Sequence, residues 1–291
     1  DPGDPPSTLQ WVDREGRLVG QLGSMDGNYW DFRLSPDGRQ VVANPDRDLW
    51  VFEVASGLAR RVAEAQPSLP AYNGVWSPDG RELVYVGQNY APTRTAADGS
   101  GEKRTLTMEG GPFQILDWSS DGDRLLLATI TREQADLWIY SFASGAATPW
   151  MATAYDEAAA RFSPDVRWIA YTSNVTDRRE IYIRPLRGAG SPLQVSTDGG
   201  VHPVWRRDGR ELFYLTLDDR LMVVDTARLA ESGHVGATRQ LFHIVLNDIS
   251  SDGVSPYDAA PDGQRFLINV PETPEPLTYI QNWPALLNAR P

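Results

Sequence analysis

"WSPDGRELVYV" (76–86) and "WRRDGRELFYL" (205–215) agree at seven of eleven positions and begin 129 residues apart. The phrase recurs between and around them as "LSPDGRQVVA" (34–43), "WSSDGDRLLL" (118–127), "FSPDVRWIAY" (162–171) and "APDGQRFLI" (260–268). Its aspartates fall at Asp37, Asp79, Asp121, Asp165, Asp208 and Asp262, so the spacing is 42, 42, 44, 43 and 54 residues. Each copy reads as a tight hairpin: Pro presets φ, Asp bonds the backbone ahead of it, and Gly takes the left-handed conformation. Apolar residues on both sides make the two strands. The fourth copy carries Val166 where the others carry Gly.

A second pattern follows each hairpin: "DLWVFEV" (48–54), "DLWIYSF" (136–142), "EIYIRPL" (180–186) and "RLMVVDT" (220–226) read as third strands. A turn and a short fourth strand complete the unit. Six units of four strands, each about 43 residues long, predict an all-β six-bladed propeller with four-stranded antiparallel blades. Trp76, Trp118, Phe162 and Trp205, each just before a turn, are expected to wedge between blades. The chain ends are incomplete in complementary ways. "TLQWVDREGRLVGQLG" (8–23) reads as strands three and four without partners, whereas few strands follow Asp262. The N-terminal strands are therefore expected to complete the C-terminal blade. Residues 1–7 read as a linker, 8–291 as one propeller, and "ARLAESGHVGA" (227–237) as an insertion in the fifth blade.

The repeat followed by its third strand resembles the TolB-like family of six-bladed propellers over nearly the whole chain. The order "LQWVDREGR … EIYIRPL … VHPVWRRDGRELFYL … NW" is also similar to propellers that follow a kinase domain and a membrane span in some bacterial serine/threonine kinases. The resemblance implies a periplasmic or extracellular binding or sensing module, and the fold alone assigns no activity.

Composition narrows the partners. With 27 Lys and Arg against 39 Asp and Glu, the net charge is −12. Such a chain repels phosphate backbones and anionic lipid, so nucleic acid is not an expected partner. No apolar run has membrane-span length, and no membrane insertion is expected within the chain. Cys is absent, which removes disulfides, thiolate metal sites and a Cys nucleophile. No G-x-S-x-G elbow appears, and "DGSGEKR" (98–104) lacks P-loop spacing. His202, His234 and His243 lie on different parts of a blade and do not predict a metal site. No cofactor, metal or catalytic residue is expected, although His202 as a base, or a polysaccharide lyase or glycoside hydrolase on this scaffold, is the alternative.

Two candidate sites follow. Arg33, Asp117, Arg161 and Asp258 stand two residues before the turn in four blades. In a ring Asp117 faces Arg161 and Asp258 faces Arg33, which reads as inter-blade ion pairing, with a charged ligand-binding pore as the alternative. The loops entering the inner strands carry Tyr29, Trp30, Asp31, Tyr72, Asn73, Phe113, Gln114, Tyr155, Asp156, His202, Tyr257 and Asp258. An aromatic ring with adjacent acids and amides at that channel mouth suits a peptide, a protein segment or a small sugar-like ligand. Its alternative is packing between blades.

Overall fold

The computed structural model describes residues 6–23, 27, 29, 31–45, 47–65, 71–130, 134–188, 190–244 and 255–271. Within them lie six four-stranded antiparallel sheets. Blade 1 runs from the channel outwards as Phe32–Leu34, Gln40–Ala43, Leu49–Glu53 and Ala59–Ala63. Blade 2 is Tyr72–Trp76, Glu82–Val86, Pro92–Ala96 and Arg104–Thr105. Blade 3 is Phe113–Trp118, Arg124–Thr129, Leu137–Ser141 and Ala146–Met151. Blade 4 is Glu157–Phe162, Trp168–Ser173, Glu180–Pro185 and Leu193–Gln194. Blade 5 is Val201–Trp205, Glu211–Leu215, Arg220–Asp225 and Thr238–His243. The inner strands of successive blades touch, and those of blades 6 and 1 close the ring.

Blade 6 is built from both ends of the chain. Its inner strands are Tyr257–Ala259 and Arg265–Pro271, and its outer strands are Ser7–Asp13 and Leu18–Gln21. The seam is a continuous register from Ser7↔Pro271 to Asp13↔Arg265. The expected closure is thus present, with the strand beginning at Ser7. The segment "LTYIQNW" (277–283), read from sequence as one more strand, lies outside the described residues. The blade-5 insertion forms a single helical turn, Leu229–Ser232, ended by left-handed Gly233.

A four-stranded sheet has two apolar faces, and stacking blades buries both. Six apolar clusters result, one at each blade interface. Val42, Leu49 and Val51 of blade 1 meet Trp76, Leu83 and Tyr85 of blade 2. Phe213 of blade 5 meets Tyr257 and Phe266 of blade 6. This explains why second strands such as "LVYV" (83–86) read as unbroken apolar runs: all four residues are buried. Trp76 and Trp205 wedge as expected, and their indole N–H groups donate to the preceding blade at Arg33 O (3.1 Å) and Arg161 O (3.3 Å).

The hairpins share one construction. In blade 1, Asp37 Oδ1 accepts Arg39 N–H at 3.0 Å and the Ser35 hydroxyl at 2.6 Å. Ser35 Oγ in turn accepts Gln40 N–H at 2.9 Å. The same bonds recur around Ser77 and Asp79, Ser119 and Asp121, and Ser163 and Asp165. In blades 5 and 6 Arg206 and Ala260 replace the serine; Asp208 and Asp262 keep the backbone bond, and Arg206 Nε pairs with Asp208 Oδ1 at 3.4 Å. These turns ring one face of the propeller.

Candidate functional site: an axial funnel

On the hairpin face the axis opens into a cavity of about 290 Å³. Its rim is Pro36, Pro78, Ser120, Pro164, Arg207 and Pro261, the residues one place into each turn. Its wall includes Trp76, Trp118, Phe162 and Trp205. Its floor is the position two residues before each turn: Arg33, Val75, Asp117, Arg161, Val204 and Asp258 in ring order. The floor therefore reads Arg-Val-Asp twice. In a six-membered ring this sets Arg33 opposite Arg161 and Asp117 opposite Asp258. None of the six turn aspartates lines the cavity.

The expected ion pairs do not form, and the reason is geometric. Asp117 Oδ2 accepts the backbone N–H of Phe162 in the next blade at 2.8 Å, and Oδ1 accepts its own neighbour, Trp118 N–H, at 3.0 Å. Asp258 repeats this with Leu34 N–H (2.8 Å) and Ala259 N–H (2.9 Å). The carboxylates thus staple blade 3 to blade 4 and blade 6 to blade 1 through amides. Arg161 Nη1 donates to Leu116 O and Ala160 O. Arg33 is 7% exposed, and its Nε is buried without a hydrogen-bond partner.

The floor's electrostatics follow from the burial of its carboxylates. Loss of water pushes Asp117 up to about 7; the Phe162 amide and the Arg33 charge oppose this, and Asp258 adds to it. Asp258 is also raised by burial, with Arg33 again opposing. A buried carboxylate resists ionisation unless charge or hydrogen bonds compensate it.

At the opposite mouth the expected residues fall into three groups. Tyr29, Phe113 and Tyr257 are core: Tyr29 packs on Phe52, Phe113 on Trp138 at 5.4 Å, and Tyr257 donates its hydroxyl to His202 O at 2.9 Å. Asp31, Asn73 and His202 are also buried. Asn73 Nδ2 reaches Asp31 Oδ2 at 3.5 Å, and burial raises Asp31. Asn73 and His202 adopt left-handed φ values of 53° and 54° where the inner strands bulge. Tyr72 and Gln114 are half-buried, Asp156 pairs with Arg179 at 2.8 Å, and Tyr155 is 42% exposed. Burial pushes Tyr72 up to about 12. Asp258 belongs to the funnel floor instead. Trp30 lies outside the described residues. Four rim residues, Pro36, Pro78, Pro164 and Pro261, belong to the repeated turn motif, whereas the floor valines carry no motif. The one signal for them is the six-fold comparison of the position before the turn.

No model of a protein family matches the chain. Among curated proteins, the uncharacterized peptidase YuxL of Bacillus subtilis (strain 168) is 26% identical over 159 residues. That match covers 50% of this chain and only 22% of the relative. A putative TolB from Agrobacterium tumefaciens superposes with a TM-score of 0.74 at 21% identity, over 93% of this chain and 100% of that one. TolB from Acinetobacter baumannii gives 0.57 at 16% identity, over 84% and 64%. An oligogalacturonate lyase in complex with manganese gives 0.59 at 15% identity, over 88% and 81%. Among the described residues no helix is long and apolar enough to cross a membrane. The fold is that of the TolB-like six-bladed propellers.

Proposed function

We propose that the chain is a binding module that receives a peptide or protein segment in the axial funnel. The observation that carries this reading is the buried Arg33 in the floor of a cavity walled by aromatics. An apolar cleft with a few convergent polar groups is the usual form of a ligand site. At about 290 Å³ the cavity suits one or two side chains better than an extended sugar chain. The likeness to TolB propellers supports a binding role outside the cytoplasm, and fractionation of the producing cell tests that location. The half-exposed Tyr72 and Tyr155 at the opposite mouth mark the alternative place for the site. Attachment to a kinase domain rests on sequence resemblance alone, and reading the gene upstream of the chain tests it.

Peptide display against the intact propeller supplies a ligand, and calorimetry then compares variants. Ser120→Tyr and Arg207→Glu change exposed rim residues. Each is expected to weaken binding at least about tenfold, as loss of a central contact does. Tyr72→Ala and Tyr155→Ala are expected to leave binding unchanged. The reverse result moves the site to the opposite mouth. Release of an unsaturated product from oligogalacturonate replaces the binding reading with a lyase.

A further inference from the structure

The floor's hydrogen-bond inventory is lopsided. Both oxygens of Asp117 and both oxygens of Asp258 already accept backbone N–H groups. On the donor side, Arg161 uses Nη1 on carbonyls, while Arg33 Nε has no partner. Arg33 and Arg161 are each 7% exposed, line the same cavity, and stand three blades apart in a six-bladed ring. A guanidinium presents planar paired donors that match a carboxylate. Leaving a buried donor unmade is costly, so the floor is short of an acceptor.

We propose that the funnel floor is a carboxylate subsite, in which one carboxylate on the axis is received by the guanidinium groups of Arg33 and Arg161 from opposite sides. This deepens the binding reading above and rests on the same cavity. Two features choose a carboxylate over a phosphate or sulfate. The Asp117 and Asp258 side chains repel a second negative charge on the ligand. The walls at Trp76, Trp118, Phe162 and Trp205 suit a ligand that is apolar behind its head group. The carboxylate comes from a chain terminus, an acidic side chain or a free organic acid, and these sources share the chemistry. The charged groups that bear on Asp117 are Arg33 and Asp258, and Arg161 lines the same floor. A ligand carboxylate at Arg33 offsets the field that opposes protonation of Asp117. Binding is therefore coupled to proton uptake, and affinity rises as pH falls through about 7.

The test titrates the intact propeller with propionate, propionamide and inorganic phosphate, following the arginine side-chain N–H resonances by NMR. Propionate is expected to shift the Arg33 resonance saturably, and propionamide is expected not to. The propionate Kd is expected to rise about tenfold or more in Arg33→Gln, as loss of a charge-assisted pair does. Arg161→Lys retains charge without the fork and is expected to weaken binding less. Should Arg33→Gln fail to fold, the wild-type titration and Arg161→Lys decide. Equal shifts by propionamide, tighter binding of phosphate, or no saturable shift at Arg33 overturns the subsite. Calorimetry in buffers of different ionisation enthalpy reads the proton uptake. A blocked peptide with a free C-terminus, set against its amide, separates the two readings. If peptides bind equally with and without carboxylates, the subsite falls and the binding module stands. If propionate binds and no peptide does, the subsite stands and the peptide reading falls.

Discussion

Val166 adopts φ 55° in a turn whose five counterparts are glycines at φ 66° to 78°. A β-branched residue in that region carries strain of about 1–3 kcal/mol. Val166 also packs partly against the blade 3–4 cluster, and glycine gives up that contact and gains unfolded-state entropy. The strain is the larger effect, so Val166→Gly is expected to raise the melting temperature. A lower one shows that packing wins. The opposite change is harsher where the ring is tight. A methyl group at Gly38 would stand 2.8 Å from Pro261 Cδ of blade 6, whereas at Gly80 its nearest neighbour is 3.9 Å away. Gly38→Ala is therefore expected to destabilise more than Gly80→Ala in the same denaturant series. The aspartate's part in the turn is readable from sequence because its bond is local. The serine's part is not, because Ser77 Oγ serves Glu82 N–H five residues on, across the hairpin.

Pairing order was legible at the scale of strands because each repeat alternates in the same way and each chain end lacks what the other holds. Bulges were not. The left-handed Asn73 and His202 are followed by Gly74 and Pro203, a different residue in each blade, and Ala159 interrupts its inner strand with neither beside it. The Asp–Arg pairing failed for a related reason. Whether a carboxylate meets a guanidinium or a backbone amide depends on the stagger between neighbouring inner strands, which residue spacing does not encode. The seam of blade 6 carries its own prediction. Trp11 is 5% exposed, and the Arg265 guanidinium lies 5.0 Å from its ring centre. Arg14 then ties the seam to blade 5 through both Glu211 oxygens at 2.9 Å and to Gly263 O at 2.8 Å. Trp11→Ala is expected to cost about 3–5 kcal/mol by chemical denaturation. Removing residues 1–22 uncovers the edge of Arg265–Pro271, and light scattering is expected to report association through that edge. A truncated chain that stays monomeric with an unchanged melting temperature refutes the closure.

Across the whole molecule, acid has two opposing effects, and the raised carboxylates decide the sign near neutrality. Burial pushes Asp117 and Glu157 each up to about 7; the Thr153 hydroxyl at 2.5 Å from Glu157 only partly offsets it. A carboxyl raised in the folded state binds its proton more tightly there than in the unfolded chain. Its contribution to stability is therefore full below the ordinary carboxylate pKa and is lost as pH rises towards about 7. The turn aspartates Asp37, Asp79 and Asp121 are lowered, by the serine hydroxyl for Asp37 and Asp79 and by serine and amide bonds against desolvation for Asp121. Their contribution is lost only in strong acid, below the ordinary carboxylate range. Asp31 and Asp258 are raised by burial as well, so between about pH 8 and 5 the raised carboxyls dominate and the melting temperature is expected to rise as pH falls. Glu157→Gln keeps an acceptor for Thr153 and removes the titration, so it is expected to flatten part of that rise. Asp117→Asn flattens a further part but sets an amide nitrogen near the N–H of Trp118 or Phe162, so it is expected to lower stability at every pH as well. Calorimetric melts of the three proteins across this window separate the effects. A wild-type profile that is flat, or that falls as pH drops from 8 to 5, shows that these two carboxyls are solvated in the folded state. The proton linkage argued for the funnel floor would then lose its group.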